Sequence, residues 1–71
     1  MIRLRVREVA EKKGMSMGKL VRTAGIAYNT LRTIYKNPYR EVTTTTLNKL
    51  AKALNVPATD LLEDVPEPND D

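Results

Sequence analysis

The sequence predicts an all-α fold, because apolar residues recur at helical spacing in several short segments and helix-breaking residues separate those segments. In the clearest segment, Leu31, Ile34 and Tyr35 form an i, i+3, i+4 stripe that ends before Asn37 and Pro38. The chain has 71 residues and no cysteine, so one compact core must form by packing alone, without disulfide bonds. These observations indicate one small helical domain.

The first helix is predicted to follow a short extended start. Residues 2–7 alternate apolar and basic side chains as a strand does, whereas helical spacing begins at Val6 and continues toward Gly14. Gly14 is expected to stop this helix, since glycine adopts the left-handed cap conformation at little cost. Ser16 is a suitable amino-terminal cap for the second helix, which is predicted to run to about Thr23.

The third and fourth helices have clear boundary signals. The third is predicted to begin at about Ala27 and to end before Asn37. The threonine run at positions 43–46 supplies caps for the fourth helix, although threonine runs also suit strands. Asn55 is placed to close the fourth helix.

The carboxyl end is predicted to hold a fifth, short helix and an acidic tail. Pro57 is placed to open that helix, which is expected to run through Leu61 and Leu62. From 64 to 71 we expect a disordered tail, because these residues are acidic and proline-containing. The predicted domain therefore covers residues 1–63.

Charge is distributed unevenly along the chain. Up to Thr59 there are twelve basic and three acidic residues, whereas Asp60 to Asp71 contributes six acids and no base. Between Glu11 and Glu41, 29 positions carry seven positive charges and no acidic residue. An unbroken basic stretch of this length is typical of a protein that binds a polyanion, and nucleic acid is the first partner to expect.

Composition excludes several kinds of site. Without cysteine or histidine, the chain has no thiolate nucleophile, no cysteine-based zinc site and no imidazole to carry protons. The carboxylates of the helical part are far apart in sequence, at Glu8, Glu11, Glu41 and Asp60. We therefore expect no enzyme activity, no metal site and no cofactor. Arginines interrupt the apolar residues of the amino terminus, so we expect no signal or membrane segment and a cytoplasmic location.

The segment from Met17 to Tyr35, MGKLVRTAGIAYNTLRTIY, holds two short helical patterns joined by a tight turn at Gly25. Its apolar spacing and its turn glycine resemble the helix-turn-helix of the phage Cro and lambda-repressor-like family. The similarity extends to residues 14–16 before the second helix, and to 46–56 and 60–62 as the fourth and fifth helices. It covers about sixty of the 71 residues.

The resemblance implies a compact five-helix DNA-binding domain, usually a homodimer on a two-fold operator, that acts as a transcriptional regulator. Position by position, it places base reading on the third helix at Tyr28, Asn29, Arg32 and Thr33. These side chains suit that role, because asparagine and arginine can bond adenine and guanine in two places and the threonine methyl can touch that of thymine.

The resemblance also places phosphate contacts along both helices of the motif and the loop that follows. The residues at these positions are Met17, Lys19, Thr30, Lys36, Asn37 and Arg40. Met17 stands where the family often has glutamine, so its contact would come from the backbone N–H at the start of the second helix.

Three alternatives remain open for the amino-terminal arginines. Arg3, Arg5 and Arg7 alternate with apolar residues, which favours a strand edge that pairs with its copy in a second subunit. The arginines could also form an arm that grips DNA, or be solvated at the start of an early first helix. Tyr35 is expected in the core, and Tyr39 could equally touch phosphate or cover a hydrophobic edge.

Other functions are weighed against DNA binding. The polar face of the third helix could be an ordinary solvated surface, as on any amphipathic helix. The same helices could serve a protein-interaction module, such as an antitoxin-like partner, with DNA secondary or absent. RNA binding is disfavoured, because no set of exposed aromatic residues offers a stacking platform.

Overall fold

The computed structural model describes residues 1–67, which form four α-helices, one 3-10 turn and a two-stranded sheet. In chain order the elements are β1 (Ile2–Leu4), α1 (Val6–Lys12), α2 (Met17–Ala24), α3 (Tyr28–Lys36), α4 (Thr44–Leu54), the 3-10 turn (Ala58–Leu61) and β2 (Leu62–Asp64). The mostly helical fold predicted from apolar spacing is confirmed, with a small sheet added to it.

The prediction of five helices in an all-α fold is confirmed only in part, because the fifth helical segment is not an α-helix and a short sheet is present. Pro57 does precede a helical segment, but that segment is a single 3-10 turn of four residues. Leu62, expected to continue the helix, is extended with φ −120° and ψ 139° and begins β2. The chain leaves the turn here because its backbone pairs with the amino terminus, and the Arg5 N–H donates to the Leu61 carbonyl at 2.8 Å.

The short strand expected at the amino terminus is present, but its partner lies in the same chain. β1 and β2 are antiparallel, with Arg3 opposite Glu63. The Val65 N–H extends this ladder by donating to the Met1 carbonyl at 2.9 Å. The edge of β1 that faces β2 is therefore occupied within the chain, and the expected pairing with a copy stays a prediction for the opposite edge of β1.

The first residue of the predicted tail from 64 to 71 lies in the sheet. This residue, Asp64, pairs with Ile2 as the last residue of β2. Residues 68–71 lie outside the described part of the chain, so tail disorder stays a prediction.

The helix boundaries follow the capping residues that the sequence offers. The Ser16 hydroxyl accepts from the Lys19 N–H at 3.2 Å at the start of α2, and Thr43 caps α4 in the same way. At the other helix ends, Gly25 and Asn55 adopt left-handed conformations, with φ of 70° and 58°. These local signals confirm the predicted boundaries of α2 and α4 to within a few residues.

Every large element contributes an apolar side chain to one core. Leu20 of α2, Leu31 of α3, Leu50 of α4 and Leu61 of the 3-10 turn are fully buried. α2 packs against α3 and α4, and α1 packs against α3, α4 and the 3-10 turn. No polar or charged residue among the described ones is buried, so hydrophobic contact dominates the packing that fixes α2 relative to α3.

Glu8 on α1 joins the first helix to the sheet through two arginines. Arg3 Nη1 and Arg5 Nε lie 3.2 and 3.1 Å from Glu8 Oε1, and Arg3 Nη1 also lies 2.9 Å from Glu63 Oε1. Hydrogen bonds from Arg3 and then Arg5 hold the pKa of the Glu8 carboxyl below its usual 4.5. These pairs tie α1, β1 and β2 together at the surface.

We expect the Glu8 pairs to make stability depend on acid pH. Because the folded-state pKa is lowered, their contribution is present above the unfolded pKa and is lost as pH falls through the folded pKa. Thermal melts between about pH 2.5 and pH 7 should therefore show a smaller acid-induced loss for Glu8→Gln than for the parent chain. Parallel melting curves at every pH would contradict a stabilising role for these pairs.

Candidate nucleic-acid interface

A two-helix unit holds the candidate base-reading residues. α2 ends at Ala24, and Gly25 closes it by donating its N–H to the Val21 carbonyl at 2.9 Å. After Ile26, Ala27 is extended and precedes the first residue of α3. The left-handed glycine lets the chain change direction within these residues, so α3 emerges directly from the turn at a fixed angle to α2.

The exposed side of α3 is polar and basic. Leu31 and Ile34 bury the opposite side in the core. With 3.6 residues per turn, the exposed side chains fall within an arc of about 100°. They are Tyr28, Asn29, Arg32 and Lys36. The structure thus brings three of the predicted base-reading residues onto one face with a predicted phosphate contact.

The two threonines of α3 lie outside this exposed face. Thr33 lies at the flank of the arc, and its hydroxyl donates to the Asn29 and Thr30 carbonyls at 3.0 and 2.9 Å. Its methyl group therefore remains as the free contact surface. Thr30 is half-buried and lies about 100° beyond Asn29 around the helix, so it does not share the exposed face.

The other predicted phosphate contacts flank α3 in the chain. Lys19 is exposed on α2, whereas the Met17 side chain packs against the core and leaves its backbone N–H at the start of the helix. Beyond α3, the Asn37 side-chain oxygen accepts from the Tyr39 N–H at 3.3 Å, which shapes the loop. Arg40 is exposed in the same loop.

Ion pairs sort the basic residues into two groups. Arg3, Arg5 and Arg7 each pair with a carboxylate of α1 or β2. Within residues 1–67, none of the other nine lysines and arginines forms an ion pair. All seven cations of the long basic stretch belong to this second group, so no acidic residue among 1–67 forms an ion pair with them.

A cleft beside α3 includes a residue that the sequence reasoning did not assign to the interface. It has a volume of about 530 Å³ and is lined by Arg7, Met17, Arg32, Tyr35 and Lys36. The sequence alone predicts a DNA contact for Arg7 only in the alternative of an arm formed with Arg3 and Arg5. The signal that could have found it is the helical spacing that begins at Val6, since this spacing places Arg7 on α1.

Tyr35 lies between the core and this cleft. Its ring packs against the buried cluster, which confirms in part the expected core position, and the Arg7 guanidinium lies over it at 5.8 Å from the ring centroid. Burial, with the nearby Glu11 carboxylate, raises the pKa of the Tyr35 phenol above its usual 10. The phenol is therefore protonated at neutral pH and can donate a hydrogen bond.

The described residues contain neither a cluster of metal ligands nor a helix suited to a bilayer. In the part of the chain from 1 to 67, no three acidic side chains lie close enough together to hold a metal ion. None of the described helices has the length and apolar character needed to cross a bilayer.

Comparison with known proteins agrees with this geometry. The family model of the Cro/C1-type HTH DNA-binding domain matches residues 5–67, which include α1 to α4 and β2. No curated protein matches the chain significantly. The family match spans far more than half of the sequence and contains the entire two-helix unit. The chain therefore belongs to the Cro/C1-type family of helix-turn-helix DNA-binding domains.

Proposed function

We propose that this protein is a sequence-specific transcriptional regulator of the repressor type, which binds an inverted-repeat operator as a homodimer in the cytoplasm. The observation that carries the proposal is the exposed face of α3, where Asn29, Arg32 and Lys36 lie together without an acidic neighbour on the helix. The family's DNA-binding character supports the choice of duplex DNA as the partner.

In the proposed complex, α3 enters the major groove, which is wide enough for one helix. Tyr28, Asn29, Arg32 and the Thr33 methyl group face base edges. Asn29 and Arg32 have no hydrogen bond from their side-chain polar groups to another residue among 1–67, so both are free to bond a base.

Phosphate contacts hold α3 in register in this complex. The three cations proposed for this role are Lys19, Lys36 and Arg40, which are all exposed and free of ion pairs in the described residues. Asn37, Thr30 and the Met17 N–H are proposed as neutral contacts. Cations fix position on the duplex, whereas the face of α3 distinguishes sequences.

An apolar cleft supports the homodimer part of the proposal. Of the four large hydrophobic residues that are exposed among 1–67, three line this cleft, with 39–51% of their surface accessible, and the cleft volume is about 480 Å³. These three residues are Met1, Ile2 and Tyr39. Arg40 and Glu41, of opposite charge, are neighbours at its rim. A second copy related by a two-fold axis can cover these apolar side chains with the same side chains of its own, as an isologous interface requires.

Selection of bound duplexes from a random pool, followed by sequencing, tests the proposal. We expect an enriched inverted repeat whose half-sites are about one helical turn apart, because each protomer would place one α3 in the major groove. Enrichment of a single half-site would contradict the homodimer. No enriched sequence, with binding that disappears in moderate salt, would contradict sequence-specific regulation and would favour a protein partner instead.

The same selection experiment can measure the predicted effect of a substitution on α3. Arg32→Ala should relax the preference at one base pair of each half-site, because a forked arginine contact discriminates by about 1–3 kcal/mol. The other positions of the enriched sequence should keep their preference. An unchanged sequence profile for Arg32→Ala would show that α3 is not docked as proposed.

A further inference from the structure

Three positive charges line the cleft between α1 and α3, and one of them comes from outside the helix-turn-helix. Arg32 and Lys36 come from α3, and Arg7 comes from α1. No acidic residue lines this cleft. Its volume of about 530 Å³ leaves room for an anionic group between the two helices.

We propose that this cleft binds a phosphodiester group of the DNA backbone and that Arg7 is a phosphate-contacting residue. The proposal rests on DNA binding as proposed above and adds a contact from α1, outside the helix-turn-helix. Arg7 of α1 lies beside the cationic residues of α3 and widens the basic surface. We therefore expect the backbone of a DNA strand whose bases face Arg32 to run along this cleft.

The Arg7 guanidinium is held in place by two neighbours. It lies over the Tyr35 ring at 5.8 Å from the centroid, and its Nε donates to Glu11 Oε2 at 3.3 Å. Both contacts leave the two terminal nitrogens without a partner among the described residues. Terminal N–H groups of arginine bond two phosphate oxygens at once, which makes a positioned guanidinium well suited to this ligand.

The other two amino-terminal arginines are occupied elsewhere. Arg3 bonds Glu8 and Glu63, and Arg5 bonds Glu8. Neither lines the cleft beside α3. Of the alternatives open for these three arginines, the proposal therefore assigns a DNA contact to Arg7 alone, whereas Arg3 and Arg5 fasten the sheet to α1.

An acidic protein segment would recognise the same charges, but the position of the cleft favours DNA. Two of its three cations lie on α3, on the face proposed for base reading or at its edge. A ligand in the cleft would therefore be continuous with the duplex on α3, and an independent protein ligand would have to displace that duplex.

The experiment measures affinity for the selected duplex and for an unrelated duplex as a function of salt. The parent chain is compared with Arg7→Gln and with Arg3→Gln, which removes the same charge away from the cleft. For Arg7→Gln we expect weaker binding to both duplexes and a salt slope reduced by about one per protomer. If the protein binds as a dimer, the ratio of the parent's affinity to that of Arg7→Gln should be about tenfold smaller at 200 mM salt than at 50 mM salt.

Arg3→Gln should keep the salt slope of the parent. An Arg7→Gln slope equal to that of the parent, or an equal loss in both variants, would overturn the proposal. Binding of the parent without a salt slope would instead contradict DNA binding itself, so the two failures are distinguishable.

A second pair of variants does not depend on the folding of Arg7→Gln. Glu11→Gln removes the carboxylate beside Arg7, so it should strengthen binding to both duplexes several-fold. Glu63→Gln makes the same change in net charge on β2 and should have a smaller effect. Equal gains for the two variants would indicate net charge alone and would overturn a local site.

Discussion

Replacing Leu31 with alanine should destabilise the domain by about 2–5 kcal/mol, because it leaves a cavity under α3. The Leu31 side chain is fully buried. The total stability of a domain of this size is only about 4–10 kcal/mol. A large fraction of Leu31→Ala molecules should therefore be unfolded at room temperature or melt just above it, and binding to DNA should be lost with the fold.

Urea denaturation followed by circular dichroism measures this effect. Leu47→Ala removes the same atoms from a half-buried position on α4 and should cost less. Leu31→Met keeps the side-chain volume and should cost about 1.5 kcal/mol or less. A Leu31→Ala midpoint equal to that of Leu47→Ala would show that α3 does not rest on a closely packed core.

The helices were predictable because their signals are local. Ser16 and Thr43 cap the residues three positions later, and Gly25 and Asn55 provide left-handed helix ends. Each of these signals acts within one turn of the helix it bounds, so a single sequence contains all the information that is needed.

The sheet was only half predictable. The alternating pattern of β1 was visible in the sequence, but β2 has no strand-like pattern of its own. In addition, Arg3 and its partner Glu63 are 60 positions apart in the chain. Pairing at such a distance depends on how the whole core brings both ends together. The fifth helical segment ends one residue earlier than predicted for the same reason, because Leu62 is extended and pairs with Leu4 of β1.

Much of the candidate interface could be predicted, because α3 is a regular helix whose faces follow from spacing. Leu31 and Ile34 identify the buried side, and the exposed arc follows from them. Arg7 could not be assigned in this way. Its neighbourhood depends on how α1 packs against α3, which places it over Tyr35.

Raising salt from 50 to 200 mM should weaken operator binding by about 10⁴-fold if each protomer of a homodimer uses its four proposed phosphate-contacting cations, which are Arg7, Lys19, Lys36 and Arg40. Each phosphate contact releases condensed counterions, so log affinity falls with log salt by about 0.9 per neutralised phosphate. Eight cations give a slope of about −7, and four cations on a monomer would give an effect of only about 150-fold. The slope thus reports how many protomers bind.

Two matched lysine variants test whether this salt slope arises from contacts made by α3. Lys36→Ala should weaken all sequences about equally and reduce the magnitude of the dimer slope by about two, because each protomer loses one contact. Lys52→Ala removes the same charge from the exposed side of α4, which has no proposed contact with DNA, and should leave the slope nearly unchanged. Fluorescence anisotropy over a salt series measures both. Equal slopes for the two variants would mean that the duplex responds to total charge and not to the end of α3, and the proposed docking would then have to be abandoned.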